Sequence, residues 1–158
     1  MNIEQYIKSL AKKIEDIPTI VGNEVVNYSL DAFKKQGWDG DAWKARKPSA
    51  KRNSKRALLV DTGRLRRSIR IRKKGSNFVI VGSNVPYAPA HNQGAKLTGS
   101  VTVSSFTRKG KKRKAHKVSS HKRKMNTTIP QRMFLGRSKK LDSIIKKAIN
   151  NHLKKASI

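Results

Sequence analysis

The chain has 158 residues, 35% of them hydrophobic and 6% aromatic, with 38 Lys and Arg against 9 Asp and Glu, a formal net charge of +29. That length predicts a single domain with a modest core, and the absence of cysteine excludes disulfides and thiolate chemistry, leaving any zinc site to His and carboxylate. No apolar run approaches the ~18 residues that span a bilayer and no apolar leader stands at the N-terminus, so the sequence reads as soluble, without export signal or membrane partner.

The charge is unevenly placed. Residues 1–41 hold five Lys and seven acids, whereas residues 62–141 hold 22 Lys and Arg and no acid. An excess of this size predicts contact with a polyanion or an acidic protein surface, or plain self-repulsion.

Ile3, Tyr6, Ile7, Leu10 and Ile14 form an amphipathic helical stripe. Asp16 and Pro18 predict a stop and restart, because Pro is at home in a first helical turn. Val21, Val25, Tyr28 or Ser29, and Ala32 with Phe33 continue the stripe to Gly37. The pattern thus predicts two helices, 3–15 and 18–36. Gly37 to Arg56 contains two Trp, two Gly, a Pro and seven basic residues. It predicts an irregular loop pinned to the core by Trp38 and Trp43.

Farther on, Asp61 or Thr62 is placed to cap a short helix carrying Leu65 and Ile69. Ile69 and Ile71, then Val79 and Val81, alternate with polar neighbours as half-buried strands do, around a turn at Lys74 to Asn77. Val101, Val103 and Phe106 predict a third strand, and Ala115 to Ser120 a strand returning antiparallel to it, with Arg108 to Lys114 at the hairpin tip. Thr127 to Gly136 reads as an extended segment. Leu141, Ile144, Ile145, Ala148, Ile149 and Leu153 predict a C-terminal helix. The fold class is α+β: two N-terminal helices, a small antiparallel sheet with a long basic hairpin, and a C-terminal helix. A single domain covers 1–158, with the basic hairpin or flexible insertion at about 96–127.

Chemistry is sparse. His91, within "VPYAPAHNQG" at 85–94, is the one tempting general base, but residues 62–141 offer it no carboxylate partner. The alternative is structural, with Pro86 and Pro89 holding a crossing and Asn92-Gln93-Gly94 turning the chain and satisfying backbone groups. His116 and His121 sit among lysines, whose field opposes a divalent cation. Phosphate-loop and nucleotide motifs are absent. No catalytic residue, metal or cofactor is predicted, and the chain reads as a non-enzyme.

Arg108, Lys109, Lys111, Lys112, Arg113, Lys114, Lys117, Lys122, Arg123 and Lys124 make up the densest basic run, with no acid between them. Its readings are sequence-blind contact with nucleic acid, contact with an acidic protein surface, or a solvated face. With no aromatic residue, it has nothing on which to stack a base.

Three segments, in order, resemble the bacteriophage virion morphogenesis family, the tail completion and head–tail joining proteins of Mu-like phages. They are "LLVDTGRLRRSI" at 58–69, "VGSNVPYAPAHNQGA" at 81–95 and "IPQRMFLGRS" at 129–138. The first is similar to the family's L-x-x-T-G-x-L-x-x-S-I, the second to G-S-x-x-x-Y-A-x-x-H-x-x-G and the third to I-P-x-R-x-F-L-G. Met133 stands where the family commonly has Pro, and Asn92 where it commonly has Gln. The resemblance implies a structural protein of a phage or prophage particle. Such a protein is expected to act at the head–tail junction or tail end of the virion after assembly in the host cytoplasm. It also implies a ring of identical copies, commonly hexameric, whose partners are tail or connector proteins.

No catalytic residue carries over from the family. The structural set that does comprises Thr62, Gly63, Leu65, Ser68 and Ile69, then Gly82, Tyr87, Ala88, His91 and Gly94, then Pro130, Arg132, Phe134, Leu135 and Gly136. Within it, Tyr87 is expected to be packed and His91 hydrogen-bonded, near a subunit contact or the core, and Arg132 held by a carbonyl or an acid. Gly63 is expected to permit a tight turn, and Gly94 and Gly136 to adopt backbone angles closed to other residues. In a ring, the 22 basic residues of 62–141 would line the lumen through which DNA passes, or face an acidic partner. The competing reading is a basic nucleic-acid-binding protein unrelated to virion assembly.

Overall fold

The computed structural model describes residues 2–46, 56–108 and 115–154. One helix, α1 (Ile3–Lys35), runs the length of the N-terminal part. It opens on a capping box in which the Asn2 side chain accepts from the Glu4 amide and the Gln5 side chain accepts from the Asn2 amide, each at 3.3 Å. It closes at Gln36, which turns left-handed with φ 56°.

The predicted break at Pro18 is not there. Pro18 lies buried inside the continuous helix, without the amide that would otherwise bond one turn back. Packing overrides this local cost. Around Gly22 the helix meets the hairpin β3 (Arg70–Lys74) and β4 (Val79–Gly82) so closely that a Cβ at Gly22 would stand 2.6 Å from Ile71 Cδ1 and 2.9 Å from Val79 Cγ2. On another side α4 (Lys139–Lys154) packs along α1, with His152 Nε2 3.8 Å from Asp16 Oδ2.

Residues 37–46, the first half of the predicted loop, are more regular than its composition suggests, while residues 47–55 of that loop lie outside the described residues. Two short strands, β1 (Gly37–Trp38) and β2 (Asp41–Ala42), pair antiparallel and present Trp38 and Trp43 to the core, both 8% exposed. Trp43 meets Phe33 edge to face at 5.4 Å, and Phe33 packs on Phe134 at 5.3 Å. Leu65, Ile69, Val85 and Ala88 complete this cluster, and the short helix α2 (Arg64–Ser68) delivers Leu65 into it. Asp61 does not cap α2, because its carboxylate is held by Arg56 instead. The Thr62 hydroxyl accepts from the Arg64 amide at 3.3 Å, while Gly63, with φ 75°, occupies the cap position itself.

Among the described residues there is no single sheet, and the β structure comprises four separate two-stranded antiparallel ladders. The longest joins β5 (Ala95–Val103) to β8 (His121–Ile129), with β6 (Phe106–Arg108) and β7 (His116–Val118) continuing it outward in the same register. This is the predicted hairpin, extended at its root to Ala95 and Ile129. Ser104-Ser105 on one strand and Ser119-Ser120 on the other interrupt both ladders at the same level. Between its ends at Ala95, Val103 and Ile129, every residue of β5 and β8 is exposed. The ribbon therefore projects from the body instead of packing on it.

Candidate functional site

Two features remain once the core is accounted for: the corner at 85–94 and the ribbon that leaves it. The corner contains a short helix, α3 (Ala88–Gln93), where the sequence predicted only an irregular crossing. Pro89 fits within its first turn because the missing amide there has no intrahelical partner to lose. Ser83 prepares the approach. Its hydroxyl accepts from the Val85 amide at 3.1 Å and bonds the Ser68 hydroxyl at 2.6 Å, while Ser68 also donates to the Leu65 carbonyl at 2.7 Å.

Asn92 is the centre of the corner. Its side-chain oxygen accepts from the Phe134 amide at 2.8 Å and the Leu135 amide at 3.0 Å, and its amide group donates to the Leu135 carbonyl at 2.8 Å. The Arg132 amide donates to the His91 carbonyl at 2.8 Å, a second tie between the same segments. Arg132 is carbonyl-bound as expected: its Nε donates to Lys44 O at 2.9 Å and its Nη2 to Ala45 O at 3.4 Å. Burial depresses its pKa, with the Arg46 charge adding to the effect. Trp43 Nε1 donates to Met133 O at 2.7 Å, so three distant stretches of chain are laced through side-chain bonds to backbone.

A second network holds α4. The Ser138 hydroxyl accepts from the Leu141 amide at 3.1 Å, as a helix cap does, and donates to Asp39 Oδ1 at 2.8 Å. Tyr28 donates to the same oxygen at 3.1 Å. The Ser138 bond, followed by that of Tyr28 and the Lys140 charge, lowers the Asp39 pKa despite a smaller opposing effect of desolvation. Burial raises that of Tyr28.

Three expectations for the corner need correction. Tyr87 is not packed into the core of its own chain, which leaves a subunit contact as the other place expected for it; it is 42% exposed and stands edge to face on the His91 ring at 5.8 Å. It flanks an open cleft of about 360 Å³ that also borders Leu59, Gly63, His91 and Arg132, so the ring has no opposing wall. The His91 side chain is not hydrogen-bonded at Nδ1, which is buried without a partner. Burial, reinforced by the Arg132 charge, lowers its pKa and keeps it neutral. Gly136 does not need a left-handed backbone, and the one group that a Cβ would crowd, at 2.9 Å, is the sulfur of the flexible Met133 side chain.

The other positions fall as follows. Gly94 has φ 79°, and a Cβ there would meet the Gln131 amide nitrogen at 3.1 Å. Leu65, Ser68 and Phe134 are buried, and Pro130 leads the chain out of β8. Nothing at Gly82 requires glycine, because a Cβ would meet only Arg72 Cγ, at 3.7 Å. Sequence reasoning missed Ser138, Asp39 and Tyr28 as a unit, although a Ser just ahead of a clear helix is a cap signal.

The ribbon leaves the body between Gly94 and Pro130. In antiparallel pairing, residues directly opposite share a face and successive residues alternate. The register therefore sorts β5 and β8 into two unlike faces. One carries Leu97, Val101, Val103 and Met125, with Arg123 across from Val101. The other is wholly polar, with Lys96, Lys122 and Lys124 among Thr, Ser and Asn. Arg108 and Lys117 lie on the outer ladder. Lys109, Lys111, Lys112, Arg113 and Lys114, the predicted tip, lie outside the described residues.

Among the described residues no three His, Asp or Glu side chains converge as a metal site would require, and no helix is long and apolar enough to cross a membrane. The chain belongs to the phage virion morphogenesis family, whose model matches residues 1–154. It is thus a phage-associated protein of a structural and assembly family. Comparison with curated proteins and with solved structures gave no match.

Proposed function

We propose that this chain is a non-enzymatic protein of tail completion or head–tail joining, which works as a ring of identical copies at the junction or at the tail end. The observation that carries this reading is the ribbon. A β5–β8 arm exposed along nearly its whole length, with lysines on one face, contributes nothing visible to its own core and is built to meet something else. In a ring, the polar face with Lys96, Lys122 and Lys124 turns toward passing DNA or an acidic partner of the tail or connector. Binding to DNA through this face is sequence-blind and falls steeply with salt.

Light scattering over a salt series tests the ring. At +29 per chain, copies repel one another at low ionic strength, and near 1 M salt the screening length falls to ~3 Å. Discrete particles of one multiple mass are expected as salt rises. A monomer at every salt concentration would overturn the self-assembled ring.

A further inference from the structure

Among the apolar surfaces that the described residues leave uncovered, which also include Phe78 and Ile80 beside the β3–β4 turn, two are long and of different kinds. On α1, Ile3, Ile7 and Ile14 recur at i, i+4 and i+11, in line along the helix, and are 75%, 58% and 52% exposed. The charged residues next to them, Glu4, Lys8, Lys13 and Glu15, balance, so the line is bordered by both signs and by no net charge. On the ribbon, Leu97, Val101 and Met125 share one face and are 40%, 46% and 37% exposed. The single Lys or Arg on that face is Arg123.

We infer that the apolar face of the β5–β8 ribbon of one copy docks on the Ile3–Ile7–Ile14 line of α1 in the next copy. The inference rests on the ring reading and names the two faces that build it. Charge selects the pairing. Two ribbons laid face to face would add the basic excess of one to that of the other, and would leave the α1 line bare. Two α1 helices laid together would leave the ribbon bare. α1 holds five acids and five lysines, which makes it a neutral surface on a chain of +29, and so it is where a basic arm meets least repulsion.

Arg123, across from Val101, then comes down near Glu4, one turn before Ile7. The contact joins different patches on the two copies, so repetition by a rotation that closes gives a ring, whereas a self-matching patch would stop at a dimer. The lysine face of the ribbon stays uncovered, which leaves it free for a polyanion.

The absence of native cysteine makes the test direct. Ile7→Cys and Val101→Cys variants are mixed under the salt conditions that give particles, then oxidised. The expected product is a mixed dimer in excess over either like dimer. The double variant is expected to give a ladder of covalent oligomers ending at the particle mass. Particles of the right mass in which Ile7→Cys alone cross-links as well as the mixture, or in which nothing cross-links, would overturn this contact and leave the ring standing. A monomer at every salt concentration overturns both. Ile7→Asp, at a position already 58% exposed, is expected to leave the melting temperature unchanged. It should raise the protein concentration for half-assembly about tenfold, as loss of a docked apolar side chain does. Unchanged assembly in that variant counts against the contact.

Discussion

Truncating Asn92 to Ala deletes one acceptor and one donor that together satisfy three backbone groups of Phe134 and Leu135. Beside the buried Phe134, those groups lose their partners without gaining good access to water. A loss of about 2–3 kcal/mol in unfolding free energy, read by denaturant titration, is the expected outcome. A different consequence follows from His91. Its folded pKa is depressed, so below the ordinary value of 6.5 the unfolded chain binds the proton more readily than the native one. Stability therefore falls as pH drops from 6.5 toward the lower folded value, and the fall ends there. His91→Gln is expected to flatten the part of the melting profile that lies between those two pH values. Asp39 acts lower down. Its depressed pKa gives stability that is present above 3.8 and lost as acid titrates the folded carboxyl. Asp39→Asn should remove that lower step and spare the His91 step.

At the level of elements, Pro18 and the ribbon give opposite expectations. A proline inside a helix costs about 3 kcal/mol through the lost bond and the clash one turn back, more than the packing of its ring returns. Pro18→Ala is accordingly expected to raise the melting temperature. Replacing residues 97–127 by a two-residue turn between Lys96 and Thr128, which already face each other, is expected to leave the melting of the body nearly unchanged. A large drop would show that the ribbon supports the core after all. Both elements also mark what the sequence could express. The C-terminal helix, the β3–β4 hairpin and the returning arm were legible because period and turn chemistry are local signals. The continuity of α1 was not, because the helix is held through Gly22 by strands some fifty residues on. Nor was the reach of Asn92, whose partners lie 42 and 43 residues away. The corner was recognisable from its residues, but the bonds that make it a corner were not. The networks at Ser138 and Arg132 have the same cause: each joins stretches separated by 87 residues or more.

For the molecule as a whole, the division of charge matters more than its total. The long helix α1 is neutral and the rest carries the excess, so each copy is polar on the scale of the whole protein. The ribbon has a mechanical side as well. Its root is gripped where the Asn92 and Arg132 bonds cross between the two strands' continuations, and there the arm behaves as a lever set in a socket. Farther out, the facing serine pairs at 104–105 and 119–120 leave a stretch without ladder bonds between two paired lengths. Bending concentrates at such a joint, so the inner length keeps its angle while the outer length can settle differently from copy to copy. In the proposed ring, arms of this kind would let the base keep one symmetry while the outer ends conform to a neighbour that has another.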